Sequence, residues 1–490
     1  MGNFFDPDPT RATRVAIARD PSARAYPPIE DAPYHPSESY PEYTGPIAAR
    51  PNHAYRLVRQ ALAELGLDAE RFGSPEWNPI GALVPPGARI VIKPNWVLHA
   101  NEGVGGTDCL VTHASVLRAI ADYALRAKPA SLVVGDAPIQ VCRFDGIQAL
   151  GFSRVAEWYR AQGAPVVVKD FRRTVMDRSD RTVVVHEDQR SMDDFVLVDL
   201  GTRSRMEALS GDAKRFRVTM YDPRRLREHH RPGVHEYLVS RDILAADLVI
   251  NVPKLKSHKK AGLTIALKNL VGINGLKDYL PHHRKGGADR RGDNYAETTW
   301  PKRIVEELLD FANRHLDRPR LYARITRFAY RVLFFDRIRG KSTDVEGGWF
   351  GNDTVWRMCL DLNAILLYAD EKAALHPTPR RRLLHIADAI IAGEGDGPLK
   401  SDPYPMGAVL ASMNASALDW MAAHLVGFDP ARIPITREAF GLHPLPISSV
   451  TPDALECAGV FTEMHTPMKP AAGWQGHIER SQSPGPALDS

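Results

Sequence analysis

Between Asp247 and His283 the chain reads DLVINVPKLKSHKKAGLTIALKNLVGINGLKDYLPHH. An apolar run, Leu248-Val249-Ile250, gives way to Asn251, Lys254, Lys256, His258, Lys259, Lys260, Lys268, Asn269, Lys277, His282 and His283, with Gly262, Gly272 and Gly275 among them. Lysines hold carboxylates and phosphates, and imidazoles move protons. Residues two apart in an extended segment share a face. Lys254, Lys256 and His258 are therefore expected to converge on one anionic ligand, with Lys268 and Asn269 leading toward Gly272. His258 is a candidate for proton transfer, and a desolvated Lys256 for base or nucleophile. Lys259 and Lys260 read as surface charge.

Three further groups could add to such a site. Lys93-Pro94-Asn95 follows the strand-like RIVI and leads through Gly103-Val104-Gly105-Gly106-Thr107 to Thr112-His113-Ala114-Ser115. Strand, glycine loop and helix start resemble an anion site, with Lys93 and Asn95 binding, His113 as a second proton carrier and Thr112 as the cap. Asp136, in Gly135-Asp136-Ala137-Pro138, suits a metal ligand or general base, or an Asx-turn. Glu394 and Asp396 alternate with Gly393, Gly395 and Gly397, as a divalent cation would require, or a tight turn. Asn352-Asp353 would cap a helix carrying Asp361 and Asn363. No Walker loop and no G-x-G-x-x-G occurs, so no nucleotide-binding motif is found. Cys109, Cys142, Cys359 and Cys457 are scattered, and no iron–sulfur cluster is expected.

The elements that must position these residues are strands alternating with amphipathic helices. Strands are predicted over 14–18, 89–93, 132–134, 166–169, 182–185, 196–199, 248–250, 384–392 and 409–412, and helices from His53 and over 114–126. This pattern predicts an α/β fold: a largely parallel central sheet flanked by helices, with inserted loops and an arginine-rich helix. Residues 1–52 read as a first strand and a proline-rich arm, whose 21–51 segment could lie on the surface, wrap its own domain or cross to a second subunit. Residues 53–455 read as the core and 456–490 as a loose tail. Within the core, 313–345 is a basic helical insertion. Leu321, Ile325, Phe328, Val332 and Phe335 form its stripe, and arginines from 318 to 339 cover much of the rest. Such a helix packs its stripe on the core, or docks peripherally to a membrane or an acidic protein.

Hydrophobic content of 44% and charge of 25% are those of a globular protein. A net charge of +4 over 490 residues does not suggest a nucleic-acid partner. The N-terminus lacks a secretory signal, and no apolar run is long enough to span a bilayer, so a cytoplasmic protein is expected.

Taken in order, these motifs resemble the domain of unknown function 362 family. The resemblance rests on Lys93-Pro94-Asn95, Thr112-His113, Gly135-Asp136, Asn251-Val252-Pro253-Lys254-Leu255-Lys256-Ser257-His258, Lys268-Asn269-Leu270-Val271-Gly272 and Glu394-Gly395-Asp396-Gly397-Pro398. Asp419 and Gly427-Phe428-Asp429-Pro430 extend it, so that it spans roughly Ile90 to Pro434. The family brings no settled activity. Some of its members carry a ferredoxin-type module, which the cysteine spacing here does not match. The arm and the arginine-rich helix look like additions to the family core.

Two functions follow. The first is an enzyme acting on a carboxylate- or phosphate-bearing small molecule, with a divalent metal on Asp136, Glu394 and Asp396. It requires Lys254, Lys256, His258, Asp136 and Glu394 to share one pocket. The second is a non-catalytic ligand-binding component docked through residues 318–339.

Overall fold

The computed structural model describes residues 8–177, 184–186, 189–459 and 466–480. Ten strands form one sheet. Its first half contains β1 (Arg14–Arg19), α1 (His53–Glu64), β2 (Arg89–Pro94), α2 (Ala114–Arg126), β3 (Ser131–Asp136), α3 (Ser153–Ala161) and β4 (Val166–Asp170). The chain returns through β5 (Leu248–Val252), β6 (Lys254–His258), β7 (Gly262–Thr264) and the short α4 (Ala266–Asn269). A hairpin of α5 (Trp300–Asn313) and α6 (Pro319–Ile338) precedes α7 (Val355–Tyr368), β8 (Arg382–Glu394), β9 (Asp402–Ser412), α8 (Ala415–Leu425) and β10 (Glu456–Gly459).

The strand order is β10-β1-β9-β8-β5-β2-β3-β4, with β6 on β8 and β7 on β6. Every pair from β8 to β4 is parallel. β9 runs antiparallel to both β8 and β1. Parallel strands covered on both faces read as unbroken apolar runs, and RIVI, LVV and LVI do so for this reason. Ile90, Ile92, Leu132, Val134, Leu248 and Ile250 meet the core under α1 and α2. Their alternates Val91, Val133 and Val249 face the core under α7 and α8. Helix α1 follows its predicted pattern. Asn52 caps it, accepting from Tyr55 N at 3.2 Å, and Gly66 follows its end at a φ of +86° that suits glycine.

From β2 the chain moves outward to β3 and β4, and β5 then enters on the other side of β2. The direction of winding reverses between β2 and β5, and ligands lie beyond the carboxyl ends of strands at such a point. Lys93, Asp136 and Asn251 are all at carboxyl ends of these strands, and Lys93 stands opposite Asn251 in register.

Three expectations change: the strand at 196–199, the tail and the stripe of the arginine-rich helix. The strand at 196–199 belongs to a separate three-stranded sheet with Val234–Ser240. The one at 182–185 lies partly outside the described residues. The proline-rich arm lies on its own chain, with Tyr26, Tyr34 and Tyr40 buried. Residues 466–480, expected as tail, pack down: Trp474 is buried and donates to Lys259 O at 2.8 Å. In α6, Ala329, Val332 and Leu333 pack with Val305 and Tyr295. Phe328 and Phe335, read as part of the buried stripe, are 55% and 50% exposed. A two-helix hairpin covers only a narrow face, and these rings lie outside it.

Candidate functional site

At the strand ends lies a cavity of about 380 Å³. Strand β6 contributes Lys256 and His258, and α4 contributes Lys268 and Asn269. Asn95 and Asp136 come from the ends of β2 and β3, and the turns between contribute Lys260, Lys277 and His282. Its apolar wall includes Ile139, Val141, Val218, Tyr221 and Val271.

Lys256 Nζ donates to Asn95 Oδ1 at 2.8 Å and to Leu110 O at 2.5 Å. With the Asn95 amide oxygen turned to Lys256, the amides behind it are oriented. Asn95 Nδ2 donates to Asn269 Oδ1, and Asn269 Nδ2 to Asn251 Oδ1, each at 2.8 Å. Asn251 Nδ2 then donates to His385 Nδ1 at 3.1 Å. The chain of amides fixes the floor of the cavity. Burial, and then the charges of Lys254 and Lys268, hold the Lys256 amine well below its usual range. Burial also lowers Lys268, and brings Lys260 to about 8 and Lys277 to about 7. None of these four lysines forms an ion pair among the described residues.

The two cavity histidines are fixed in opposite tautomers. His258 Nδ1 accepts from Lys260 N at 3.0 Å and from Ala261 N at 3.1 Å. Burial keeps the ring neutral, so Nε2 carries its proton. His282 Nδ1 lies 2.7 Å from Leu280 O. A carbonyl only accepts, so here Nδ1 carries the proton and Nε2 the lone pair. Burial again keeps the ring neutral. Gln140 Nε2, Thr219 Oγ1, Tyr221 Oη and Thr264 Oγ1 also belong to cavity-lining residues and have no hydrogen-bond partner among the described residues. Buried polar atoms are seldom left so.

The predicted residues divide. Asn95, Asp136, Lys256, His258, Lys268 and Asn269 line the cavity, while Asn251 lies behind it in the amide chain. Lys93 is fully buried and pairs with Asp136 at 2.7 Å, while the other Asp136 oxygen accepts from Trp96 N at 2.7 Å. Lys254 points elsewhere. The pairing of β6 with β8 shifts register between Lys254 and Lys256, which turns Lys254 onto Asp388 at 2.8 Å and Tyr26 Oη at 2.7 Å.

His113 does not line the cavity. Its Nδ1 accepts from Ser115 N, so His113 is the cap of α2, and its ring stacks on Tyr26 at 4.1 Å. Thr112, the expected cap, instead donates to Val252 O at 2.7 Å. The anion at this helix start is the chain's own Asp388, which accepts from His113 N at 2.9 Å.

Glu394 and Asp396 lie outside the cavity lining. They accept from Lys469 N and Ala472 N, each at 2.9 Å, and so hold the C-terminal segment. The three carboxylates expected on a metal are thus not gathered. No group of three or more His, Cys, Asp or Glu suited to a metal occurs among the described residues. Asp361 and Asn363 are structural: Asp361 accepts from Arg205 N at 2.8 Å and Asn363 donates to Leu267 O at 2.9 Å.

Lys260, read as surface charge, is only 6% exposed and faces the cavity. Lys277 and His282 belong to the same stretch, but turns rather than strand periodicity carry them inward.

The profile of the family described as a domain of unknown function (DUF362) matches residues 160–424, more than half of the chain. The chain belongs to this family. The DUF362 segment contains the cavity lysines and both histidines, whereas Lys93, Asn95 and Asp136 precede it. A thylakoid-associated protein of Synechocystis sp. is 26% identical over 208 residues, which are 42% of this chain and 41% of that protein. The chain therefore spans about two fifths of that relative's length. The crystal structure of a Thermotoga maritima protein aligns at a TM-score of 0.30 and 11% identity, over 72% of this chain and 54% of that one. So low a score carries no argument. Among the described residues no helix is long and apolar enough to cross a membrane.

Proposed function

We propose that the protein is an enzyme acting on an anionic small molecule bound in the lysine-lined cavity, a narrower site than the five-residue pocket expected from the sequence, since Lys254 and Glu394 lie outside it. The observation that carries this reading is Lys256, Lys260, Lys268 and Lys277 facing one space with no ion pair of their own. Several buried amines without counter-ions hold the place of negative charge. The size of the cavity suits a metabolite with a short apolar part against Ile139 and Val141. A proton donor, His258 Nε2–H, and a proton acceptor, His282 Nε2, favour chemistry over storage.

The pH dependence of binding follows from the lysines. With Lys277 at about 7 and Lys260 at about 8, both are largely neutral at pH 8.5. An anion raises both values, so it binds together with protons. Calorimetric titration with inorganic phosphate and a panel of dicarboxylates, in buffers of different ionisation enthalpy, should show uptake of about one to two protons near pH 8. Affinity should fall as pH rises from 7 to 9. Binding with no proton uptake, or no binding by any member of the panel, would overturn the proposal.

A second reading concerns where the enzyme works, and rests on the α5–α6 hairpin. Phe328, Phe334, Phe335, Ile338 and Trp300 are 49–66% exposed. Between and beside them stand Arg320, Arg324, Arg327, Arg331, Arg337 and Arg339, exposed and without ion pairs among the described residues. Aromatic rings among arginines suit the headgroup region of an anionic bilayer. The name of the thylakoid-associated relative accords with such a surface. Each arginine near an anionic surface contributes about 1 kcal/mol. The variant carrying Arg324→Gln, Arg327→Gln and Arg331→Gln should therefore bind phosphatidylglycerol-containing vesicles roughly a hundredfold more weakly in co-sedimentation. Equal binding by both proteins, or equal binding to pure phosphatidylcholine, would remove this reading.

A further inference from the structure

Lys256 differs from the other cavity lysines in how its nitrogen is held. Its stem is enclosed: at Gly393 an added Cβ would lie 2.9 Å from the Cβ of Lys256 and 2.5 Å from Cys109 O. The glycine lets β8 lie directly against the stem, and Lys256 is only 1% exposed. Its Nζ has two hydrogen-bond partners, Asn95 Oδ1 and Leu110 O, and both are acceptors. A neutral amine has two N–H bonds and one lone pair. Both N–H bonds are committed, so the lone pair takes the remaining direction of a residue that lines the cavity. Lys254, two residues earlier, has Asp388 to neutralise it, and Lys256 forms no ion pair among the described residues. Burial and the neighbouring ammonium groups favour the neutral form.

We propose that Lys256 is a nucleophile that forms an imine with the carbonyl carbon of an anionic aldehyde or ketone. This rests on the reading of the cavity as an anion site, and names the functional group that the bound anion carries. The charge of the ligand lies on Lys260, Lys268 and Lys277, and its carbonyl lies toward Lys256. The Nζ lone pair attacks the carbonyl carbon, and the π pair moves to oxygen, which accepts a hydrogen bond from His258 Nε2–H. The nitrogen then gives up both of its protons, releasing Leu110 O and Asn95 Oδ1. His282 Nε2 relays them to the oxygen, which departs as water. One amine and one carbonyl yield one imine and one water, with no oxidant or reductant.

Glyoxylate is a small anionic aldehyde, and cyanoborohydride reduces its imine to a stable carboxymethyl amine. The intact protein, treated with both at pH 7 and mapped by peptide mass spectrometry, should be modified at Lys256. An exposed lysine is neutral to less than about one part in a thousand at this pH. Lys256 should therefore react roughly a hundredfold faster than the exposed Lys128 and Lys372, and excess phosphate should protect it. Modification confined to exposed lysines, or directed to Lys260 or Lys277, overturns the proposal. If Lys256 stays unmodified while calorimetry still detects anion binding, the imine falls and the anion site stands. If anions do not bind either, both fall.

Discussion

Lys254→Met is expected to destabilise the protein by about 3–5 kcal/mol, whereas Lys256→Met should cost at most about 1–2 kcal/mol. The two lysines are two residues apart on one strand, and both are buried. Lys254 pairs with Asp388 at 2.8 Å, and both side chains are wholly inaccessible. Removing it leaves a buried carboxylate with only neutral donors among the described residues: Tyr26 Oη, His113 N and Ile390 N. Breaking a buried pair from one side is among the most damaging single changes. Lys256 has no such partner. Its loss leaves two acceptors short of a donor, but it also removes an amine held against desolvation and two like charges. Urea unfolding of the two variants checks this. Equal losses would mean that Lys256 is paired in solution or that the Lys254 pair contributes little.

Gly272→Ala should be comparably severe, at about 3–5 kcal/mol, and should also impair anion binding. An added Cβ would fall on Asp136 Oδ1 and 2.8 Å from Lys93 Nζ. A carboxylate tip can usually step aside, but this one is pinned by Lys93 on one oxygen and Trp96 N on the other. Gly272 O also accepts from Ala137 N at 2.9 Å, so the turn itself cannot retreat. Gly106 provides the control. It is exposed at a φ of −72°, and an added Cβ there would meet nothing within 4 Å. Gly106→Ala should cost less than half as much as Gly272→Ala in the same unfolding experiment. A Gly272→Ala protein as stable as the parent would show that the Lys93–Asp136 pair moves freely.

Most strands of the main sheet were legible as short unbroken apolar runs and α1 by its helical period, whereas β7 and β10 gave no such run. The wall formed by Lys256, His258, Lys268 and Asn269 was legible because polar residues follow an apolar strand. The rest depended on contacts that sequence spacing does not encode. Period two put Lys254 with Lys256 and His258, and a register shift against β8 separated them. Glu394 and Asp396 have the look of cation ligands, yet backbone amides from residues 469 and 472 take both. Lys260 reads as surface charge within Lys-Lys-Ala-Gly, and only the turn around His258 shows that it faces inward. Tyr26 gave no signal at all: it reaches Asp388 from 362 residues away, out of a segment that looks like a linker.

Strand β1 stands between β9 and β10, so both of its neighbours are far downstream. Ser412 Oγ meets Arg14 O across 398 residues of chain. On a ribosome adding about 5–20 residues per second, the partners of β1 emerge roughly twenty seconds to more than a minute after it. For that interval RVAIAR is an apolar strand with two unpaired edges, the kind of segment that associates with other chains or is held by chaperones. The Tyr26 arm that follows it is just as early, and Asp388 just as late. Residues at the two extremes of this fold thus wait for each other, and the yield of folded protein in a cell should depend on what shields the first strand meanwhile.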